Sequence, residues 1–240
     1  MKKRIPYSII LRSMFFIVGF CVPSATVHAH PQALITFHRL QKENSREPTP
    51  LRSTQILEIL LVQEECSRGV SSGKEYHQKF PEDLDLSIAY AKIAICAHKY
   101  DIAASVLDDA EKTHGPSLRV SLTRLELFEA QGREDTGALA LKIVNSYDDA
   151  EPDIYIQAAL RGDNGAQSNE ASSVKILKQG IKRHPASISL WLTLLLVQEQ
   201  RGALCDAVET VKEMRSHFPS LNKEVWDLKQ KTLLDRCSGR

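Results

Sequence analysis

The sequence predicts an all-α fold: an α-solenoid of about five helix-turn-helix units with a C-terminal capping helix. Three observations predict it. Between Ile188 and Pro219, apolar residues recur at three- and four-residue spacing through Leu190, Trp191, Leu194, Leu195 and Val197. They break at Gly202 and resume through Ala203, Leu204, Ala207, Val208, Val211 and Met214. That period places each set on one face of a helix, and Pro219 stops the second because proline cannot continue one. Next, prolines and glycines punctuate the chain at Pro81, Gly115-Pro116, Pro152, Pro185 and Pro219, about 34 residues apart, and a fixed period marks a repeat array. Last, Asn222 is a good N-cap for a helix over 222–237 carrying Val225, Trp226, Leu228, Leu233 and Leu234 among charged residues. A stack of helices needs such a one-sided end.

The last unit resembles a tetratricopeptide repeat, whose pattern sets Trp-x2-Leu-Gly-x2-Tyr before Ala-x3-Phe and Pro. Trp191, Leu194, Ala207 and Pro219 fall on it, while Leu195, Gln198 and Val211 replace Gly, Tyr and Phe. Residues 97–103, with Tyr100 in the turn and Ala103 leading the next helix, resemble the family's inter-helix turn; Leu107 and Ala110 share Ala103's face. The third unit repeats the layout with Leu122, Leu125 and Phe128, a turn at Gln131-Gly132, then Leu139, Leu141, Ile143 and Val144. Five units result, 50–83, 84–117, 118–151, 152–187 and 188–221, inside a solenoid spanning 50–240.

Two units depart from the pattern. In the first, Ser67 to Gly73 is rich in Gly and Ser, so its second helix is expected to be short and to begin near Gly73. In the fourth, Arg161 to Ser168 has no apolar residue except Ala166, so the turn is expected to be expanded, as a tolerated insertion or a partner-contacting loop. Before the array, Pro31 to Gln41 reads as a short helix and Lys42 to Pro50 as a linker.

Met1-Lys2-Lys3-Arg4, an apolar run over 13–22 and Val27-His28-Ala29 read as a secretory signal over 1–29, with His30 first in the mature chain. An uncleaved anchor is the alternative, and the one route to a membrane. The pattern looks bacterial, so the periplasm is the expected location. Removing four cations takes the formal charge from +1 to −3, with no basic block, so no electrostatic case for nucleic acid remains.

No phosphate loop, HExxH, CxxC, nucleophile elbow or calcium loop occurs, so no enzyme activity, cofactor or metal is expected. The resemblance implies binding of a protein or peptide partner by first helices that line a concave groove. By spacing, Asp85, Ile88, Lys92, Arg119, Leu122, Glu126, Glu129, Tyr155, Leu192 and Leu196 are the candidate groove residues. The lysine–asparagine clamp that binds peptide carboxylates in some relatives is not supplied here. Two functions are expected from different classes: a scaffold in envelope assembly, such as pilus or polysaccharide export, or a helical accessory of a cell-wall or polysaccharide enzyme.

The same repeat geometry bears on Cys66, Cys96, Cys205 and Cys237. Consecutive helices of the family run antiparallel, and the midpoint of Cys66 and Cys96 is Pro81, while that of Cys205 and Cys237 lies two residues past Pro219. Pairing within these couples is expected, because other pairings would span several stacked units. Four buried thiols are the alternative.

Overall fold

The computed structural model describes residues 31–161, 171–220 and 222–239. The expected signal over 1–29 lies outside the described residues, as does the 162–168 part of the expected expanded turn. Every regular element among the described residues is helical: α1 (Pro31–Arg46), α2 (Pro50–Val62), α3 (Cys66–Lys79), α4 (Leu84–Cys96), α5 (Tyr100–His114) and α6 (Leu118–Ala130). There follow α7 (Thr136–Ser146), α8 (Pro152–Arg161), α9 (Ala171–Arg183), α10 (Ile188–Gln200), α11 (Leu204–His217) and α12 (Lys223–Cys237). Helices α2 to α11 form five pairs, and α12 packs on α11 as the terminal cap. The chain is an all-α solenoid.

Local chemistry repeats with the same period. Thr49, Asp83 and Ser117 stand 34 residues apart and cap α2, α4 and α6, each accepting from the amide three residues on: Arg52 (3.2 Å), Leu86 (2.8 Å) and Val120 (3.3 Å). Such caps satisfy amides that a helix start leaves unpaired. The turn inside a unit also recurs: Glu64, His98, Gly132 and Gly202 all take positive φ, from 55° to 74°. In each, the next amide reaches back to a helix carbonyl, as from Lys99 to Ala94 (2.8 Å) and from Ala203 to Gln198 (2.9 Å). This 6→1 bond is the Schellman closure, and it reverses the chain in three residues.

The core runs through the array in three clusters. Phe37 and Leu40 of α1 join Ile56, Leu57, Leu86, Ile93 and Leu107 in the first. The second centres on Leu125, Ile143, Tyr155, Leu177, Leu190 and Leu194, and the third on Leu195, Val208, Val211 and Leu233. Trp191 is 3% exposed, and its indole N–H donates to the Pro185 carbonyl (3.0 Å), tying α10 to the preceding turn.

Three expectations are corrected. Helix α3 is full length, beginning at Cys66 rather than near Gly73. Its glycines are contact positions: a Cβ at Gly69 would meet the Ile93 side chain at 2.7 Å, and one at Gly73 would collide with the Tyr90 ring. Packing gained by that approach overrides the poor helix propensity of glycine. Helix α1 extends to Arg46, so 42–46 is no linker. Asn44 is buried there; it donates to Ser53 Oγ (3.2 Å) and accepts from the Thr49 amide (3.0 Å), which locks α1 to the start of α2. In the cap, Leu233 is buried and Trp226 packs beside it, but Val225, Leu228 and Leu234 are exposed. The apolar residues of α12 therefore do not share one packed face.

Each end of the array carries a disulfide, Cys66–Cys96 joining α3 to α4 and Cys205–Cys237 joining α11 to α12, with Cα separations of 5.7 and 5.2 Å.

Candidate functional site

First helices of the first four units line a groove of about 600 Å³. Each contributes the face its period assigns. From α2 come Leu51, Thr54, Gln55, Glu58 and Leu61; from α4, Asp85, Ile88, Ala89 and Lys92. From α6 come Arg119, Leu122, Thr123, Leu125, Glu126 and Glu129; from α8 come Ile154 and Gln157, with Glu151 just before it. Positions one repeat apart line up across the helices: Leu51, Asp85 and Arg119 form one row, and Glu58, Lys92 and Glu126 another.

Helices α2, α4 and α6 lie side by side, whereas α6 and α8 make no close backbone approach. Five residues, 147–151, separate α7 from α8, against three between α5 and α6. The longer connection lets α8 pack closely on α7 while standing away from α6. Side chains fill the space between α6 and α8: Leu125 and Ile154 are buried in one apolar cluster and both line the floor of the groove.

Charge in the groove is mostly internally paired. Arg119 bonds Asp85, and Lys92 lies 3.3 Å from Glu126, so α4 and α6 are bridged twice. Arg161 reaches Glu129 at 3.4 Å and bridges α6 to α8 across the gap. All six side chains keep a third or more of their surface in water, where each pair contributes ~0–1 kcal/mol. Five carboxylates line the groove against the two cations Lys92 and Arg119. Glu58 and Glu151 have no ion-pair partner among the described residues. Two buried polar atoms on the same walls, Thr54 Oγ1 and Gln157 Oε1, have no hydrogen-bond partner among the described residues.

Of the residues singled out from sequence, Asp85, Ile88, Lys92, Arg119, Leu122, Glu126 and Glu129 meet in this groove. Tyr155 does not, and its assignment to the groove is corrected. It is fully buried, packs on Gly180, and its hydroxyl accepts from the Arg183 guanidinium. Arg183 also donates to the Val144 and Tyr147 carbonyls at 3.2 and 3.3 Å, so this tyrosine belongs to the seam between α7, α8 and α9. Leu192 and Leu196 are part-exposed on α10, beyond the residues that line the groove. Sequence reasoning missed the contribution of α2. Its signal was available: one repeat before Asp85, Ile88 and Lys92 stand Leu51, Thr54 and Glu58.

No family model matches the chain, and no curated protein sequence matches it. Solved structures do. A tetratricopeptide repeat protein from Parabacteroides merdae aligns with a TM-score of 0.52 at 13% identity, covering 85% of this chain and 78% of that one. YrrB, described as a tetratricopeptide repeat protein with an unusual peptide-binding site, aligns with a TM-score of 0.52 at 10% identity, covering 82% of this chain and 97% of its own. At such identities the likeness establishes the fold, and the fold is the tetratricopeptide repeat solenoid.

Proposed function

We propose that this chain is an exported, non-enzymatic scaffold that holds a segment of a protein partner in the groove along α2, α4, α6 and α8. The observation that carries the reading is the groove itself, which runs over four units with apolar residues between polar ones. An extended or helical segment presents side chains at intervals, and a surface built on repeats offers matching sites at intervals. YrrB, of the same fold, has a peptide-binding site, which supports the reading by analogy. None of the lining residues is Trp, Tyr or Phe, and this weighs against a sugar, which favours aromatic platforms. The accessory role in polysaccharide processing is therefore the weaker reading.

Export is supported by the N-terminal pattern and by two disulfides, which persist in oxidising compartments. A periplasmic place, and service in envelope assembly such as pilus or polysaccharide export, rest on the resemblance.

The test is selection of peptides against the full chain from an unbiased display library, followed by affinity measurement. The double variant Leu51→Gln/Leu122→Gln removes one exposed and one half-buried apolar side chain from the groove without changing charge. It should weaken the selected peptides more than tenfold, since burying one such side chain is worth ~1.5–3 kcal/mol. Circular dichroism should not change. Unaltered affinity would place the interface elsewhere, with the 161–168 segment the next candidate.

A further inference from the structure

We propose that the occupant of the groove is a protein segment carrying lysine or arginine side chains among apolar ones. This deepens the peptide-binding reading and rests on it. Both cations of the groove are already engaged, Arg119 by Asp85 and Lys92 by Glu126. What remains uncompensated is negative: Glu58 on α2 and Glu151 at the head of α8, at opposite ends of the helix series. An acidic segment would meet net repulsion along the groove and would have to break two ion pairs to find a cation. A basic one gains two free carboxylates and leaves the existing pairs intact.

A second observation points to a ligand independently of charge. Thr54 is 8% exposed and lines the groove one turn from Glu58, yet its buried Oγ1 has no hydrogen-bond partner among the described residues. Buried hydroxyls in folded proteins are nearly always bonded, and rotation about the Thr54 Cα–Cβ bond on binding would bring this one to a partner's polar group in the groove. The unpartnered Gln157 Oε1 repeats the arrangement on α8 and accepts only, so it suits an N–H donor. The apolar part of the specificity comes from Leu51, 69% exposed at the rim, which a purely cationic ligand would leave uncovered.

The experiment uses the peptides selected against the full chain. They should be enriched in Lys and Arg alternating with apolar residues. Glu58→Gln/Glu151→Gln should weaken them about fivefold, the effect of losing two exposed charge pairs. Raising salt from about 0.05 to about 0.5 M should weaken the parent chain more than this variant. Thr54→Val, which keeps the shape and removes the hydroxyl, should weaken binding with circular dichroism unchanged. Acidic or uncharged selected peptides, or affinities indifferent to the glutamate pair, would overturn the proposal. If those peptides are still lost in Leu51→Gln/Leu122→Gln, the groove remains the peptide site and only its chemistry is wrong. Indifference to both double variants overturns both readings. Self-association in sedimentation with no peptide enriched would assign the groove to a second copy and also overturn the proposal.

Discussion

Glu64 and His98 are the residues at which this backbone is most at odds with its side chains. Both hold positive φ, 58° and 55°, where Gly132 and Gly202 serve in the equivalent turns. A Cβ in that region costs about 1–2 kcal/mol, against ~0.5–1 kcal/mol of extra unfolded-state freedom for glycine. His98 recovers part of its cost through the bond between Nδ1 and the Tyr100 hydroxyl (2.8 Å). Glu64 is exposed and has no such bond. Glu64→Gly should therefore stabilise the chain by about 0.5–1 kcal/mol, read as a rise in the urea midpoint at constant slope. At His77, burial between Ser87 and Tyr90 pushes the imidazole below its ordinary value, and the Asp109 carboxylate offsets this only in part. The folded form thus favours neutral imidazole. As pH falls below the ordinary histidine value near 6.5, the unfolded chain takes the proton first and stability declines, until the folded pKa is passed. The His77 ring signals in an NMR titration should move at lower pH than the ordinary histidine value near 6.5. A midpoint at or above that ordinary value would contradict the burial account.

Among the elements, α3 shows where sequence was silent. The run Ser67 to Gly73 has the composition of a loop, and propensity alone shortens the helix. What makes it a helix is the opposite surface, where Ile93 and Tyr90 of α4 need Gly69 and Gly73 to approach. That information lies 17 to 24 residues away and in no local window. Gly73→Ala would gain about 1 kcal/mol of helix propensity but drive a methyl group into the Tyr90 ring, an overpacking cost of about 1–3 kcal/mol or more. Net destabilisation of up to about 2 kcal/mol is expected by chemical denaturation, and a stabilising result would mean that the ring moves freely. The helices of the later units were legible because their apolar period and their Pro and Gly stops agree. The same holds for most of the groove, since the repeat carries Asp85 onto Arg119 and Lys92 onto Glu126. Tyr155 was misplaced because surface spacing cannot reveal that Arg183, from the next helix, holds its hydroxyl in the core. Asn44 escaped for a related reason: a polar residue in a charged run reads as solvated until Ser53 and the Thr49 amide are seen to enclose it.

Over the whole molecule, the array is a spine of three apolar clusters with a disulfide at either end. Each bridge closes a loop of about 30 residues and, in the chain-entropy view, contributes roughly 3–4 kcal/mol at the place where a stack of helices would otherwise fray. Between those ends, four first helices, α2, α4, α6 and α8, line a shared groove. The central claim is that this groove receives a partner segment. Methyl NMR of the full chain, titrated with a library-selected peptide, tests it most directly. Shifts should concentrate on Leu51, Ile88, Leu122 and Ile154, with Leu192, Leu196, Val225 and Leu228 unmoved. Shifts confined to α10 and the exposed face of α12, with the groove methyls silent, would contradict it.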